Sequence, residues 1–193
     1  MTTILLARHG ETDWNREGRF QGHSDTPLNE RGREQARELA AQLRPVDLAA
    51  IYSSDLRRAH ETAAIVGESR GLAVETRAAL REIDVGSWSG FTHGEIEAGD
   101  PAGYARWRES RDGWPGGETY DVLTVRVREA LVAIAGAHPD ETVLAVTHGG
   151  AIRAMLTYVD SAGSAERRPT PAVLANCGVS TIAVEDEIWR RLD

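Results

Sequence analysis

Two histidines in this sequence each follow a short apolar run and precede a glycine. His9 comes after the run 2–7, with Arg8 between them, and His148 comes shortly after the run 142–146. Short runs that are apolar throughout are typical of buried strands in a parallel sheet. Open α/β sheets bind ligands outside the carboxyl ends of their strands, so both imidazoles are predicted to converge on one crevice. A neutral imidazole in such a crevice is suited to nucleophilic attack.

A third segment brings arginine to the same crevice. Arg57 and Arg58 follow another short apolar run, and Ser54 or Asp55 is predicted to cap the helix that starts there. Arginine in the first turn of a helix is disfavoured by the helix dipole, and a bound anion would offset that cost. Arg8 together with Arg57 or Arg58 therefore predicts a phosphate site, because a planar guanidinium donates two hydrogen bonds to phosphate oxygens.

Strands and helices alternate along the chain. The patterns predict strands at 2–7, 49–52, 72–74, 142–146 and 178–184, and helices at 29–43, 56–69, 119–137 and 150–159. This alternation implies an α/β fold, a three-layer sandwich with a mostly parallel central sheet and helices on both faces. The helix 119–137 is predicted to have its apolar positions at Val122, Val125, Ala130, Val132 and Ile134.

The remaining stretches are predicted to be less regular. We expect an irregular lid segment at about 82–118, with a short helix after Thr92, which forms a capping-box pattern with Glu95. The stretch 161–171 is predicted to be a loop. The tryptophans at 88, 107 and 114 are expected either to form a dry wall of the site or to pack as an ordinary apolar cluster.

Composition excludes several kinds of chemistry. The 193 residues fit a single domain, 1–193. All 22 basic residues are arginine, which excludes Schiff-base chemistry and a P-loop lysine. The single cysteine, Cys177, excludes an internal disulfide and is expected to pack in the core. The net charge of −8 argues against nucleic acid and membrane partners, and the lack of a signal-like segment favours the cytoplasm.

These motifs together resemble the histidine phosphatase superfamily, over nearly the whole chain. The matching stretches are Arg-His-Gly-Glu-Thr at 8–12, Asn15, Arg-Phe-Gln-Gly at 19–22, the run 25–32 with Gln35-Ala36, the run 54–59 with Thr62-Ala63, Leu-Arg-Glu at 80–82 with Gly86, Trp88 and Gly90, Gly-Gly-Glu-Thr at 116–119, and Thr-His-Gly-Gly at 147–150. The resemblance implies a phosphoglycerate-mutase-like fold and metal-free phosphoryl transfer that needs no cofactor.

The resemblance also implies the roles of the residues that hold the phosphoryl group. His9 is expected to become transiently phosphorylated. Arg8, Arg58 and His148 are expected to surround the phosphoryl group, and Asn15 is expected to add a hydrogen bond. Arg58 is the member of the arginine pair that matches, because it directly precedes the alanine of the motif.

The other implied roles concern the proton and the substrate. Glu82 matches the proton donor of the family. Gln21, Gly22 and Gly149 are expected to contact the substrate. Glu118 is expected either to orient a site residue or simply to begin its helix, where an acidic residue is favoured.

Three functions remain open. A phosphatase for small phosphorylated metabolites is favoured over a phosphoglycerate mutase, because the segment 82–118 carries eight carboxylates against three arginines and should repel a bisphosphate. Stretches within this segment also resemble phosphatases of glucosylphosphoglycerate. The third function is a phosphopeptide-binding or scaffold protein on the same fold, although both histidines are present. A homodimer is possible on this fold.

Overall fold

A six-stranded sheet runs through the part of the molecule that is described, which in this computed structural model is residues 1–109, 114–161, 174–185 and 188–193. The strands are β1 (Thr2–Arg8), β2 (Ala50–Ser53), β3 (Val74–Thr76), β4 (Thr142–Thr147), β5 (Val179–Glu185) and β6 (Ile188–Arg191). Their spatial order is β3-β2-β4-β1-β5-β6. The first four in that order are parallel, and β5 and β6 continue the sheet antiparallel.

Helices cover both faces of this sheet. They are α1 (Asp13–Arg16), α2 (Glu30–Gln42), α3 (Arg57–Glu68), α4 (His93–Gly99), α5 (Pro101–Glu109), α6 (Tyr120–Ala137) and α7 (Gly149–Asp160), with 3-10 turns at Ala78–Leu80 and Gly86–Trp88. Ile4 and Leu6 of β1 pack in the layer of α6 and α7, whereas Leu5 and Ala7 pack in the layer of α2 and α3. The alternation arises because successive side chains of a strand point to opposite faces. The predicted three-layer α/β sandwich is therefore confirmed.

Helix α6 buries a different face from the one predicted. Ile134 is buried as expected, but Val122 and Val125 are 54% and 49% exposed. The buried stripe instead includes Leu123 and Leu131, which are fully buried. Both stripes are apolar in the sequence, and contact with the sheet selects one of them.

The predicted cap of α3 is wrong. The N-cap residue is Leu56, whose side chain cannot cap the helix, and the first helical N–H, that of Arg57, donates to Oδ1 of Asp25 at 2.7 Å. The Asp55 carboxylate instead forms a bidentate ion pair with Arg81. The Ser54 hydroxyl accepts a hydrogen bond from the backbone N–H of Leu56, ahead of the helix. A residue from a distant loop thus replaces the local cap.

Other boundaries differ by smaller amounts. β3 begins two residues later than predicted, β6 was not predicted, and α5 occupies part of the segment expected to be irregular. The capping box of Thr92 and Glu95 is confirmed. Cys177 is packed in the core at 9% exposure, in a turn with φ of 58°. Apart from residue 161, the predicted loop 161–171 lies outside the described residues. None of the described helices combines the length and apolarity needed to cross a membrane.

Candidate active site

The two histidines lie at the ends of neighbouring strands. β1 and β4 are parallel and in register, with Arg8 opposite Thr147, so that the next residues, His9 and His148, are neighbours. Their ring centroids are 5.1 Å apart, and both side chains are almost completely buried. The structure therefore brings both imidazoles together at the ends of the two strands, as predicted.

The hydrogen bond of His9 fixes its tautomer. Nδ1 lies 2.7 Å from the carbonyl oxygen of Gly10, which only accepts, so Nδ1 carries the hydrogen and Nε2 carries the lone pair. Burial, and then the charges of Arg58 and Arg8, hold the pKa of His9 well below its usual value, against the opposing effect of the Gly10 carbonyl. His9 is therefore neutral at physiological pH, with Nε2 available as a nucleophile.

His148 is also neutral. Burial, followed by the charge of Arg58, holds the pKa of His148 well below its usual value. Neither ring nitrogen has a hydrogen-bond partner among the described residues. Buried polar groups are almost always hydrogen-bonded, so this ring is available to a ligand that reaches it. His148 lies beside His9 but is not among the described residues that line the cavity introduced below.

Arg58 is fully buried without a carboxylate partner among the described residues. Its Nη1 and Nη2 donate to the carbonyls of Ser24 and Gly22, at 2.7 and 2.8 Å. Carbonyls orient the guanidinium, and the charges of Glu82 and Asp25 act on it without forming an ion pair with it. Burial lowers the pKa of Arg58 to about 10, so the side chain remains charged. A buried cation without a counter-ion is a site for an anion.

Arg8 adds a second charge of the same kind. Its Nη1 donates to the carbonyl of Leu174 at 2.7 Å, and its Nε has no partner among the described residues. Burial also lowers the pKa of Arg8. Arg57, by contrast, is exposed and lies 3.6 Å from Glu61, which agrees with the choice of Arg58 over its neighbour.

Glu82 is held at the N-terminus of α7. Its Oε2 accepts from the N–H of Gly150 at 3.0 Å, and its Oε1 accepts from the N–H of Ile83 at 2.9 Å. Gly149, in the same helical turn, lies beside Arg8. The structure therefore brings the proposed proton donor to the strand end that carries His148.

The predicted substrate contacts also line the cavity. Asn15 uses Oδ1 to accept from the N–H and the hydroxyl of Thr12, both at 3.1 Å, so its amide N–H groups remain available to a ligand. Gln21 accepts from Thr26. The carbonyl of Gly22 accepts a hydrogen bond from Arg58. Gly22 has a φ of 48°, and a Cβ at this position would crowd the adjacent chain.

The cavity has a volume of about 290 Å³ and a strongly positive lining. Four arginines line it, and Glu82 is the one acidic residue among the described lining residues. The cationic lining residues are Arg8, Arg19, Arg58 and Arg153. The other carboxylates of the segment 82–118 do not line this cavity in the described part of the chain. The expectation that the acidic segment repels a bisphosphate therefore does not follow from the lining of the cavity.

Aromatic side chains form part of the cavity wall. Trp107 and Trp114 line the cavity together with Phe20, whose ring lies 5.7 Å from Trp107 and 4.8 Å from Trp114. Trp88 packs behind both indoles, with centroid distances of 5.7 Å to each. The tryptophans thus form a wall of the cavity and an apolar cluster at once.

Three residues of the site were missed by the sequence reasoning. Arg153 donates to the hydroxyl of Tyr120 at 2.6 Å and lies 5.5 Å above its ring, and both residues line the cavity. The spacing between Gly149 and Arg153 is one helical turn and could have indicated a shared face. Asn176 donates to the His9 carbonyl at 3.0 Å from a distant part of the chain, and nothing in the local sequence signals it.

The described residues contain no group of three or more histidine, cysteine or acidic side chains that could hold a metal ion. The fold and cavity together define an α/β protein with an anion site at the ends of two parallel strands. The family model described as histidine phosphatase superfamily (branch 1) matches residues 4–192. The chain belongs to the histidine phosphatase superfamily, and its activity is that of a phosphoric monoester hydrolase.

Named relatives cover most of the chain. A metal-independent phosphoserine phosphatase of Arabidopsis thaliana is 37% identical, over 98% of this chain and 79% of its own length. A glucosyl-3-phosphoglycerate phosphatase of Mycobacterium tuberculosis is 39% identical, over 79% and 72%. A probable phosphoglycerate mutase of Enterobacter sp. is 35% identical, over 98% and 88%. The solved structure of Bacillus stearothermophilus YhfR is similar with a TM-score of 0.91 and 36% identity, over 99% and 95% of the two chains.

Proposed function

We propose that this protein hydrolyses phosphate monoesters of small metabolites through a phosphohistidine at His9, without a metal. The observation that carries the proposal is the pairing of a neutral His9, whose Nε2 is free, with the buried Arg58 and the half-buried Arg8, neither of which forms an ion pair among the described residues. The arginines attract the phosphoryl group, and the lone pair of Nε2 is the nucleophile beside it.

In the first step, Nε2 of His9 forms a bond to phosphorus while the bond from phosphorus to the ester oxygen breaks. The carboxyl group of Glu82 gives its proton to the departing alkoxide, which leaves as an alcohol. Arg8 and Arg58 stabilise the equatorial oxygens, because charge on those oxygens dominates phosphoryl transfer.

In the second step, the Glu82 carboxylate takes a proton from water, and the water oxygen attacks phosphorus. The bond between phosphorus and Nε2 breaks, which returns a neutral His9, a protonated Glu82 and inorganic phosphate. The hydrogen bond from Nδ1 to Gly10 persists throughout and keeps Nε2 in the reactive tautomer.

The substrate is proposed to carry a second anionic group. Arg153 lines the cavity without a carboxylate partner among the described residues, and Tyr120 orients it by a hydrogen bond and by its ring. A guanidinium binds a planar carboxylate through two parallel hydrogen bonds, as it also binds phosphate. Phosphoserine and glucosyl-3-phosphoglycerate, named for two of the relatives, are phosphate monoesters with such a group.

The proposal is tested by trapping the intermediate. Enzyme mixed with a ³²P-labelled monoester and quenched in alkali should retain label on the protein, and acid should release it, as expected for a phosphorus–nitrogen bond. His9→Ala should retain no label and should lose turnover, whereas His60→Ala, an exposed histidine on α3, should behave as the wild type. Turnover of His9→Ala within tenfold of the wild type would overturn the assignment. Incubation with 3-phosphoglycerate separates hydrolysis, which releases phosphate, from the mutase reaction, which does not.

A further inference from the structure

Arg126 of α6 reaches the segment that carries Glu82. Its Nη1 donates to the carbonyls of Ala79 and Arg81, at 2.8 and 3.2 Å, and its Nη2 donates to the carbonyl of Glu82 at 3.3 Å. The guanidinium is itself held by Glu118 in a bidentate ion pair, with distances of 3.0 and 2.7 Å. One arginine therefore binds three carbonyls of a segment that belongs to no strand.

Glu118 also holds the chain on the other side of Glu82. Its Oε2 accepts from the N–H of Asp84 at 3.0 Å, and its own N–H donates to the Asp84 carbonyl at 2.9 Å. The side chains of Glu118 and Arg126 are only 18% and 22% exposed, so solvent weakens their ion pair little. The pair thus holds the backbone on both sides of Glu82 in the sequence.

Two further side chains contact carbonyl oxygens of this segment, which has no strand partner among the described residues to bind them. The hydroxyl of Thr147 donates to the Leu80 carbonyl at 2.6 Å, and Nε2 of His23 lies 2.9 Å from the Glu82 carbonyl. Thr147 directly precedes His148, so the segment is tied to the strand end of the site. Arg126 contributes the largest share of these bonds.

We propose that Glu118 and Arg126 are positioning residues for Glu82, acting on the proton transfer to the leaving group. The inference rests on the proposed function, in which Glu82 is the proton donor. A misplacement of about 1 Å can cost about 10²-fold in rate, and a planar fork that binds three carbonyls is not replaced by a lysine ammonium. Loosening the pair should therefore affect the reaction wherever protonation of the leaving group matters.

The test compares two leaving groups in Arg126→Lys and in Glu118→Gln. β-Glycerophosphate releases an alkoxide that needs a proton, whereas p-nitrophenyl phosphate releases a phenolate that needs little help. The value of kcat/KM is measured because it reports the phosphorylation of His9 without the later hydrolysis. We expect kcat/KM to fall by about 10- to 100-fold for β-glycerophosphate and by less than about threefold for p-nitrophenyl phosphate. A purely structural role would lower both values together.

Two controls separate this inference from the proposed function. Arg128→Lys alters an arginine of the same helix that stacks over Tyr158, and it should leave the ratio of the two kcat/KM values unchanged. Glu82→Gln should change that ratio strongly, and adding Arg126→Lys to it should change the ratio no further.

Each outcome decides one of the two ideas. If Glu82→Gln leaves the ratio unchanged, its role as proton donor fails. If Glu82→Gln changes the ratio but both positioning variants leave it unchanged, only the present inference is overturned. Should Arg126→Lys fail to fold, the nearly isosteric Glu118→Gln decides the question by the same ratio.

Discussion

Gly150 and Glu82 meet so closely that no side chain fits between them. The N–H of Gly150 donates to Oε2 of Glu82 at 3.0 Å, and a Cβ built on Gly150 would lie 2.3 Å from Oε1. Gly150, the second of the two glycines that follow His148, therefore serves a contact within the protein. Gly149, directly after His148, was expected to contact the substrate, whereas the group that approaches Gly150 is the Glu82 carboxylate.

Gly150→Ala should displace the Glu82 carboxylate. We expect kcat/KM for β-glycerophosphate to fall by about 10²-fold, because a positioned acid contributes about 10²- to 10⁴-fold. Activity on p-nitrophenyl phosphate should fall much less. Gly136→Ala is the matched control, because that glycine lies on α6 with open space around its Cβ position, and it should keep full activity. Equal losses on both substrates would show that Gly150 acts through something other than Glu82.

The buried histidines should make stability depend on pH. The folded state holds the pKa values of His9 and His148 well below the unfolded value of 6.5, so the unfolded state binds more protons as the pH falls below 6.5. The contribution of these histidines to the free energy of unfolding should therefore have its full value above that pH. Below it, the free energy of unfolding should decrease by about 1.4 kcal/mol per pH unit for each histidine.

Urea denaturation between pH 7.5 and pH 5 measures this dependence. His9→Ala should remove about half of the histidine contribution to the slope, whereas His60→Ala, on the surface, should keep the wild-type slope. A slope that is the same in His9→Ala and in the wild type would contradict the buried, neutral state of His9.

The two adjacent arginines at the start of α3 should respond differently to substitution. Arg58→Gln should weaken competitive inhibition by tungstate at least tenfold and lower kcat, because the lost charge-assisted hydrogen bonds are each worth about 1.5–3 kcal/mol. Arg57→Gln should behave as the wild type, since Arg57 is exposed and pairs with Glu61. Steady-state inhibition measured for both variants checks this, and similar inhibition constants would place the anion elsewhere.

Metal chelation should not change the activity. Phosphoryl transfer at His9 uses Arg8 and Arg58 to balance charge, so wild-type kcat after treatment with EDTA is expected to equal the untreated value. The assay uses p-nitrophenyl phosphate in buffer with and without added Mg²⁺ or Zn²⁺. An absolute requirement for either ion would refute the proposed mechanism.

Arg153 should distinguish substrates that carry a carboxylate. Arg153→Met should raise KM for phosphoserine by about 10- to 100-fold, because the loss of one hydrogen bond to a charged group weakens binding by about that factor. The KM for p-nitrophenyl phosphate should change by less than about threefold. Tyr120→Phe, which removes the hydroxyl that orients Arg153, should give a smaller shift in the same direction. If KM rises equally for both substrates, Arg153 contacts the phosphoryl group and not a second anion.

The strand ends could be predicted from the sequence, because they depend on local patterns. Two apolar runs, each followed by histidine and glycine, were enough to place His9 and His148 side by side. The choice between Arg57 and Arg58 was left open by local reasoning and was made by the resemblance. Their burial depends on which side of α3 faces the site, and one helical turn does not determine that.

The contacts between distant segments could not be predicted. Asp25 replaces the expected cap of α3, and Arg126 binds the carbonyls near Glu82 from more than forty positions away. Such bonds satisfy backbone groups that no local pattern marks as unsatisfied. The same limit explains Asn176, which reaches His9 from the far end of the chain.

The separation of the two histidines is set by the sheet itself. Neighbouring strands lie about 4.8 Å apart, close to the 5.1 Å between the rings of His9 and His148. A slip of one residue between β1 and β4 would turn one of the two imidazoles to the opposite face of the sheet. Recovery of phosphatase activity during refolding therefore reports that the two central strands have reached their native alignment, without any spectroscopic probe attached to either.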